Sequence, residues 1–194
     1  MKFSFLFLLV LAFSMSAFPQ GEQAPIVEKD IVYGDWNYKD IRSGDSVNLR
    51  KFVAGKKLVM VAYFSPWCPN WKANAPVVQR LYDKYKGDGF SVVAVGLYDP
   101  IDSMKSNLEA LKLTFPAVYE SDKRDVRLTS QHYAYRNSVG DTRKWGSPWY
   151  IFLTPSRMEK SGDALTKKAF VVNGEIIETE AEKFIAERLG SSKK

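Results

Sequence analysis

The 194-residue chain has very little cysteine and histidine: one of each, Cys68 and His132. A single cysteine excludes an intramolecular disulfide, so the fold must be held together by its hydrophobic core. One cysteine and one histidine are also too few for a Cys/His zinc cluster. The sequence contains no phosphate-binding glycine loop, no Gly-x-Ser-x-Gly nucleophile motif and no metal-binding motif. It therefore calls for no cofactor and no metal.

The sequence also has no strong excess of hydrophobic or charged residues. Hydrophobic residues make up 45% of the chain and charged residues 26%, as in an ordinary soluble globular protein, which excludes disorder, a coiled coil and a membrane bundle. The net charge is +6, but acidic and basic residues are interspersed, as in Asp122-Lys123-Arg124-Asp125. This pattern indicates a solvated surface and no nucleic-acid partner. The five tryptophans are expected in the core or in a cleft.

The N terminus carries an apolar run that is too short to cross a membrane. One basic residue, Lys2, precedes an apolar stretch that ends at Phe13, and small residues follow at Ser14, Ser16 and Ala17. This is the pattern of a secretory signal peptide, predicted at residues 1–17. Because no later run is long enough either, the mature chain is expected to have no membrane span. We therefore expect an exported protein, either periplasmic or secreted.

The remaining residues are enough for one domain with its own core. We interpret residues 18–30 as a flexible N-terminal segment, residues 31–190 as the domain and residues 191–194 as a disordered tail. Continuous apolar runs at residues 58–64 and 90–98 are typical of central strands that are buried on both faces.

A helical pattern lies between these two runs. Apolar residues recur at spacings of three and four from Trp71 to Tyr85, and Gly87-Asp88-Gly89 is expected to end the helix. Strand, helix and strand in this order predict a βαβ unit with a parallel strand pair. Residues 149–153 predict another strand, with Pro148 at its edge.

Shorter patterns predict the remaining elements. They are a helix capped by Ser103, a short strand at residues 115–119, a polar helix at 122–136, a polar excursion at 155–167, a strand-like segment at 169–177 with an Asn173-Gly174 hairpin turn, and a last helix with a capping box at residues 179–182. His132 falls in the polar helix, and we expect it on the surface rather than as a catalytic base.

Cys68 lies where a buried strand passes directly into a helix, in the stretch Phe64-Ser65-Pro66-Trp67-Cys68-Pro69-Asn70-Trp71. Pro69 suits the first helical position, where its missing N–H costs nothing. Cys68 would then face the free N–H groups and the positive end of the helix dipole, a setting that favours the reactive thiolate, and Lys72 could add to the effect. Cys68 is therefore a candidate nucleophile, with an inert buried thiol as the alternative.

This stretch resembles the active-site turn of the thioredoxin superfamily, particularly the exported TlpA-like branch, in which a strand is followed by Trp-Cys-x-x-Cys. Pro76 stands where that family has its helix-kinking proline. The segment 146–153 resembles the loop and strand that carry a cis proline facing the cysteine. The resemblance covers about residues 24–190. It implies an α/β thioredoxin-like fold, with a central mixed β-sheet flanked by helices, an N-terminal extension and an inserted helix.

The resemblance also implies the residues of a site. Cys68 would be catalytic, the bond before Pro148 would be cis, and Ser147 would offer its backbone to a bound peptide. The remaining expected substrate-binding residues are Trp67, Pro69, Asn70 and Trp71.

The sequence departs from the family at two positions. Trp71 stands where the family has its second cysteine, so Cys68 could form a mixed disulfide but could not resolve it internally. We expect Trp71 to pack in the core with partial exposure; the alternative is that its indole forms a lid over Cys68 or an aromatic surface for a ligand. Ala62 stands near the position where many thioredoxins bury an acidic residue.

Two functions from different classes follow. The first is an exported oxidoreductase that acts through one thiol on a protein or peptide thiol/disulfide client and needs an external thiol reductant. The second is a redox-inactive peptide-binding module that uses the groove around Trp67, Trp71 and Pro148. A minor alternative is a one-cysteine peroxidase, because Ser65 and Cys68 have the spacing of the peroxiredoxin motif, although Val61 replaces its preceding proline.

Overall fold

A computed structural model describes residues 21–190 of the chain. The predicted signal peptide at residues 1–17, the start of the predicted flexible segment at residues 18–20 and the predicted tail at residues 191–194 lie outside the described residues. Among the helices at residues 21–190, none is long and apolar enough to cross a membrane.

The described residues form an eight-stranded mixed sheet flanked by helices, together with a separate pair of short strands. The strands are β1 (Gln23–Ala24), β2 (Val27–Gly34), β3 (Asn37–Asp40), β4 (Ser46–Asn48), β5 (Leu58–Phe64), β6 (Phe90–Gly96), β7 (Ala117–Tyr119), β8 (Trp149–Leu153), β9 (Ala164–Val172) and β10 (Glu175–Ile176). The helices are α1 (Leu49–Val53), α2 (Pro69–Tyr85), α3 (Ile101–Ala110), α4 (Gln131–Ser138) and α5 (Glu178–Leu189). The large sheet has the order β2-β9-β8-β5-β6-β7-β3-β4, which confirms the predicted α/β class with a central mixed sheet.

The centre of the sheet is β5, whose seven side chains are all buried. It pairs in parallel with β6, starting at Leu58 opposite Phe90, and antiparallel with β8, where Tyr63 lies opposite Trp149. Alternate residues of β5 face two apolar layers: Met60 packs with the α2 side and Val61 with the α1 and α4 side. Since both faces are covered, the strand is apolar without interruption, as the sequence predicted.

The predicted βαβ unit is confirmed in β5, α2 and β6. Pro69 opens α2, Pro76 lies inside it, and the helix ends at Tyr85. A short 3-10 helix, Lys86–Asp88, follows. It ends at Gly89, directly before β6, with a φ of 100° that favours glycine. In this unit β5 ends and α2 begins at the end of the sheet where the carboxyl ends of β5 and β6 lie. Cys68 is in this connection.

The predicted flexible segment is wrong from residue 21 onward. Residues 23–24 form β1 and residues 27–34 form β2, which pairs antiparallel with β9 along the edge of the sheet. The sequence indicates this strand only weakly, because edge strands alternate between exposed and buried side chains and carry polar residues on the outside.

The polar helix predicted at residues 122–136 is divided into two parts. A 3-10 helix, Asp125–Thr129, precedes α4, and Ser130 separates them. The Ser130 hydroxyl accepts a hydrogen bond from the Tyr133 backbone N–H at 3.1 Å, so it caps α4. The predicted cap at Ser103 is wrong, because α3 already begins at Ile101 after Pro100.

Two predictions in the last part of the chain are also wrong. The Asn173-Gly174 pair does not connect a hairpin, because β10 leaves the large sheet and pairs in parallel with β1. The capping box at residues 179–182 does not form, since α5 starts at Glu178 with no side-chain cap. Instead, Glu180 accepts a hydrogen bond from the Ile26 backbone N–H at 3.1 Å, which joins α5 to the N-terminal segment.

Candidate functional site

Cys68 occupies the N-cap position of α2, directly before Pro69. The chain turns between β5 and α2 through Ser65, whose carbonyl accepts a hydrogen bond from the Cys68 backbone N–H at 3.0 Å. The predicted strand–cysteine–helix arrangement is therefore confirmed. The Cys68 side chain itself makes no capping hydrogen bond with the first turn of the helix.

The sulfur of Cys68 faces the loop before β8. Its thiol donates a hydrogen bond to the Ser147 carbonyl oxygen at 3.1 Å, and the residue is 6% exposed. The Ser147–Pro148 peptide bond is cis, as the resemblance implied. The Ser147 hydroxyl accepts a hydrogen bond from the Ser65 backbone N–H at 2.9 Å, so a second bond joins the Cys68 turn to the loop before β8.

A cavity of about 210 Å³ opens above Cys68. Its wall is formed by Glu22, Trp67, Cys68, Pro69, Asn70 and residues 143–147. The structure thus brings together four of the predicted substrate-binding residues: Trp67, Pro69, Asn70 and Ser147. Pro148 is buried behind the loop and does not line the cavity.

Trp71 is fully buried, so the predicted partial exposure is wrong and the indole offers no surface to a ligand. Its ring stacks on Phe64 with a centroid distance of 4.8 Å. Its Nε1 donates a hydrogen bond to Asn107 Oδ1 on α3 at 2.9 Å. The indole therefore fills the core under the first turn of α2, in agreement with the predicted packing role.

A polar group that sequence reasoning missed lies on the buried face of α2. Asn74 Oδ1 accepts hydrogen bonds from the Tyr150 hydroxyl at 2.6 Å and from the Ile176 backbone N–H at 2.8 Å, while its Nδ2 donates to the Ile176 carbonyl at 3.1 Å. These bonds connect α2, β8 and β10 near the site. The signal was a polar residue placed between the apolar positions Trp71 and Val78 of the helical pattern.

His132 is buried and lies behind the loop, so the predicted surface position is wrong. Its Nδ1 forms a hydrogen bond with the Tyr98 hydroxyl at 2.9 Å, and its ring stacks on Tyr63 at 4.9 Å. Burial, together with the nearby Arg136 guanidinium, holds the pKa of His132 well below its ordinary value. A buried neutral imidazole of this kind supports the loop from behind.

Arg136 is also completely buried beneath the same loop. Its Nη1 lies 3.3 Å from an Asp141 carboxylate oxygen and donates to the Arg143 carbonyl at 3.1 Å. Gly146 lies directly against the guanidinium: its φ is 56°, and a Cβ there would be 2.0 Å from Arg136 Cζ. The loop can therefore pass over Arg136 because residue 146 has no side chain.

Arg143 fixes the outer side of the loop. Its Nη2 donates to Asp141 at 2.8 Å and to the Pro148 carbonyl at 3.0 Å, and its Nη1 donates to Glu22 at 2.8 Å. The N-terminal segment, the loop and β8 thus meet at one guanidinium. Within residues 21–190, no cluster of His, Cys, Asp and Glu side chains could hold a metal ion.

Comparison with known proteins supports the resemblance. The family model described as the AhpC/TSA family matches residues 21–139. The sequence is 31% identical over 96 residues, 48% of this chain, to a protein disulfide-isomerase of Drosophila melanogaster. It is 27% identical over 77 residues, 40% of this chain, to the thiol-disulfide oxidoreductase ResA of Halalkalibacterium halodurans. The chain spans only 18% and 43% of the lengths of these two curated relatives.

The backbone is similar to a solved structure as well. It matches the crystal structure of a secreted disulfide oxidoreductase of Mycobacterium tuberculosis, homologous to E. coli DsbE, with a TM-score of 0.56 and 17% identity. The match covers 78% of this chain and 95% of that chain. At this identity the similarity shows the fold, which is thioredoxin-like.

Proposed function

The chain belongs to the AhpC/TSA family of thioredoxin-like proteins. We propose that it acts on thiols and disulfides of protein clients through the single nucleophile Cys68, and that it is an exported protein. One observation carries the proposal: Cys68 is the N-cap of α2 and lines a cavity, and its sulfur lies 3.1 Å from the Ser147 carbonyl oxygen. The helix N-terminus stabilises a developing negative charge, and the cavity gives a client sulfur a route to Cys68.

The proposed exchange begins with loss of the thiol proton. The Cys68 thiolate attacks one sulfur of the client disulfide, the client S–S bond breaks, and the second client sulfur leaves as a thiolate that takes up a proton. A thiolate has no proton to donate, so the Ser147 carbonyl is released from its hydrogen bond to the sulfur and becomes free to accept one from the client backbone. Ser147, Trp67, Pro69 and Asn70 would hold that segment in the cavity.

Completion of the cycle requires thiols from outside the chain, because Trp71 provides no second sulfur. An external thiolate attacks Cys68 Sγ and releases the client thiol. A second external thiolate then releases Cys68 and leaves with the first as a disulfide. The two electrons that reduce the client come from these two external thiols.

The proposed export rests on the signal-peptide pattern at residues 1–17. We expect expression of the full chain in a bacterial host to yield a shortened periplasmic form. Determination of its N-terminal sequence tests this, and a full-length cytoplasmic product would contradict it.

A redox-inactive binding module is the second candidate, and one observation favours it. Cys68 is only 6% exposed, and its thiol is already satisfied by Ser147. In that case the cavity would hold a peptide or a partner without forming a covalent bond. Cys68 would then be a small buried residue of the binding site.

Reduction of insulin with excess glutathione separates these candidates. The proposal predicts turnover by the wild type and loss of turnover in Cys68→Ser, whose hydroxyl preserves the size of the side chain but is a poor nucleophile. Unchanged client binding without turnover in either protein would instead establish the binding module. Cys68-dependent consumption of hydrogen peroxide, in which the O–O bond breaks to give a sulfenic acid and water, would revive the one-cysteine peroxidase.

A further inference from the structure

The cavity above Cys68 has an aromatic rim that carries several positive charges. Trp67 and Trp145 meet edge to face with a centroid distance of 5.1 Å. The Arg124 guanidinium lies 5.2 Å from the Trp67 ring, and that of Arg127 lies 5.1 Å from the Trp145 ring. The Lys144 ammonium also lies over Trp145, at 5.8 Å. We call these two tryptophans and three cations the rim.

Two rim cations lack an acidic partner. Arg124 forms an ion pair with Asp99 at 3.2 Å. Within residues 21–190, by contrast, neither Arg127 nor Lys144 forms an ion pair with a carboxylate, and Lys144 is exposed. Arg127 Nη1 donates to the Lys144 backbone carbonyl at 2.7 Å, and both cations lie within 6 Å of the Trp145 ring centroid, at 5.1 and 5.8 Å. The cavity edge at Trp145 therefore has an excess of positive charge.

The chain itself places a carboxylate in the cavity wall. Glu22, from the N-terminal segment, lines the cavity and pairs with Arg143 at 2.8 Å, while half of its side chain stays exposed. An acidic side chain can thus reach this wall while remaining in contact with water. Lys144 and Arg127 could form a similar half-exposed ion pair with a carboxylate of the client.

We propose that the rim selects clients in which an acidic residue flanks the reactive cysteine. This inference rests on the proposed function of Cys68 and adds the charge of the client. The client carboxylate would pair with Lys144 and Arg127 while its cysteine lies over Cys68. Exposed ion pairs contribute modestly, so each cation is expected to change the exchange rate by about threefold at low salt. Long-range attraction between the positive rim and an acidic client would also increase the association rate.

Short peptides with one cysteine, activated as 2-thiopyridyl disulfides, test the selection directly. The Cys68 thiolate attacks the peptide sulfur, the S–S bond breaks, and the leaving group departs as coloured 2-thiopyridone, which reports the rate. Three peptides differ only in the residues beside the cysteine: Glu, Gln or Lys. Each rate is divided by the rate of the same peptide with 2-mercaptoethanol, because flanking charges alter the reactivity of the peptide itself.

The wild type should prefer the Glu peptide to the Gln peptide and the Gln peptide to the Lys peptide. The preference should shrink in Lys144→Gln and in Arg127→Gln, and in about 0.5 M salt. It should persist in Arg127→Lys, which keeps the charge, and in Lys183→Gln, an exposed cation on α5 that serves as the matched control.

Two different failures can be told apart. Equal normalised rates for the Glu and Gln peptides, or a preference that survives the double substitution of Lys144 and Arg127 by Gln, would overturn the selection while leaving the proposed function intact. Release no faster than that of Cys68→Ser with all three peptides would overturn the proposed function, and the selection with it.

Discussion

The resemblance assigns Trp71 to the position of the family's second cysteine, and we propose on this basis that Trp71→Cys converts the site into one that resolves its own mixed disulfide. Cys68 is the N-cap of α2 and residue 71 follows one turn later on the buried side. Residues three apart on a helix face each other. We expect the variant to release a bound peptide without an external thiol, whereas the wild type keeps the peptide attached.

The substitution carries a large structural cost that follows from the burial of the indole. Removal of a fully buried aromatic side chain costs about 3–5 kcal/mol, and the loss of the Asn107 hydrogen bond adds about 1 kcal/mol. For a domain of this size each kcal/mol lowers the melting temperature by roughly 2–4 °C, so a total cost of about 4–6 kcal/mol should lower it by roughly 8–24 °C. The activity should therefore be measured well below the transition, after circular dichroism has shown that the variant is folded.

Trp71→Ser is the matched control. It creates nearly the same cavity and loses the same hydrogen bond, but it supplies no thiol. Both variants should melt at similar temperatures, and only Trp71→Cys should release the peptide. A folded Trp71→Cys that retains the peptide as long as Trp71→Ser does would refute the assignment of residue 71 to the second-cysteine position.

Three further predictions concern the supports of the site. Gly146→Ala places a Cβ 2.0 Å from Arg136 Cζ at a φ of 56°, so we expect destabilisation by at least about 3 kcal/mol in chemical denaturation, and a smaller change would mean that the loop is free to move. Asn74→Ala leaves the Ile176 N–H and the Tyr150 hydroxyl unpaired, with an expected cost of about 2–3 kcal/mol by the same assay; a neutral result would show that these bonds contribute little. Burial raises the pKa of Glu120 to about 7, so its folded form holds a proton more tightly than the unfolded chain. Its contribution to stability is therefore present below about pH 4.5 and is lost as the pH rises through 7, by up to roughly 3 kcal/mol, and Glu120→Gln should flatten this part of the stability profile.

The sheet was the most predictable part of the molecule. β5, β6 and β8 are continuous apolar runs because helices cover both faces of the central sheet, and such runs can be recognised without knowing their neighbours. The start of α2 was equally predictable, because proline is favoured at the first position of a helix, where its missing N–H costs no hydrogen bond.

The layer behind the loop could not be predicted in this way. Arg136 and His132 belong to a short polar helix and give no apolar periodicity, yet both are buried because the loop that ends at Ser147 folds over them. His132 is buried by contacts that are distant in sequence, with Tyr63 and Tyr98, whereas Arg136 is covered by the irregular loop that follows its own helix. A glycine at position 146, in the loop before Pro148, was the one local hint that something large lies beneath the loop.

Two predictions near the C-terminal end of the domain were wrong for the same physical reason, namely contacts with distant parts of the chain. Thr179 and Glu182 have the spacing of a capping box, but α5 already begins at Glu178, so both residues lie inside the helix, and it is Glu180 that accepts a hydrogen bond, from the Ile26 N–H. The Asn173-Gly174 pair has the composition of a hairpin turn, but the parallel pairing of β1 with β10 takes the second strand away. In both cases a local pattern was overridden by tertiary structure, and for β10 the partner is the N-terminal segment, whose pairing the sequence did not indicate.

The central claim is that the Cys68 sulfur reacts from the folded state, and trapping of its mixed disulfide tests this most directly. The native chain is mixed with a cysteine-peptide disulfide, quenched with acid, and analysed by intact-mass and peptide-mapping mass spectrometry. We predict an adduct of one peptide on Cys68, formed while circular dichroism shows an intact fold, and no adduct in Cys68→Ser. An adduct that forms only after the protein is unfolded by denaturant would contradict the claim, because the sulfur would then be sealed in the native structure.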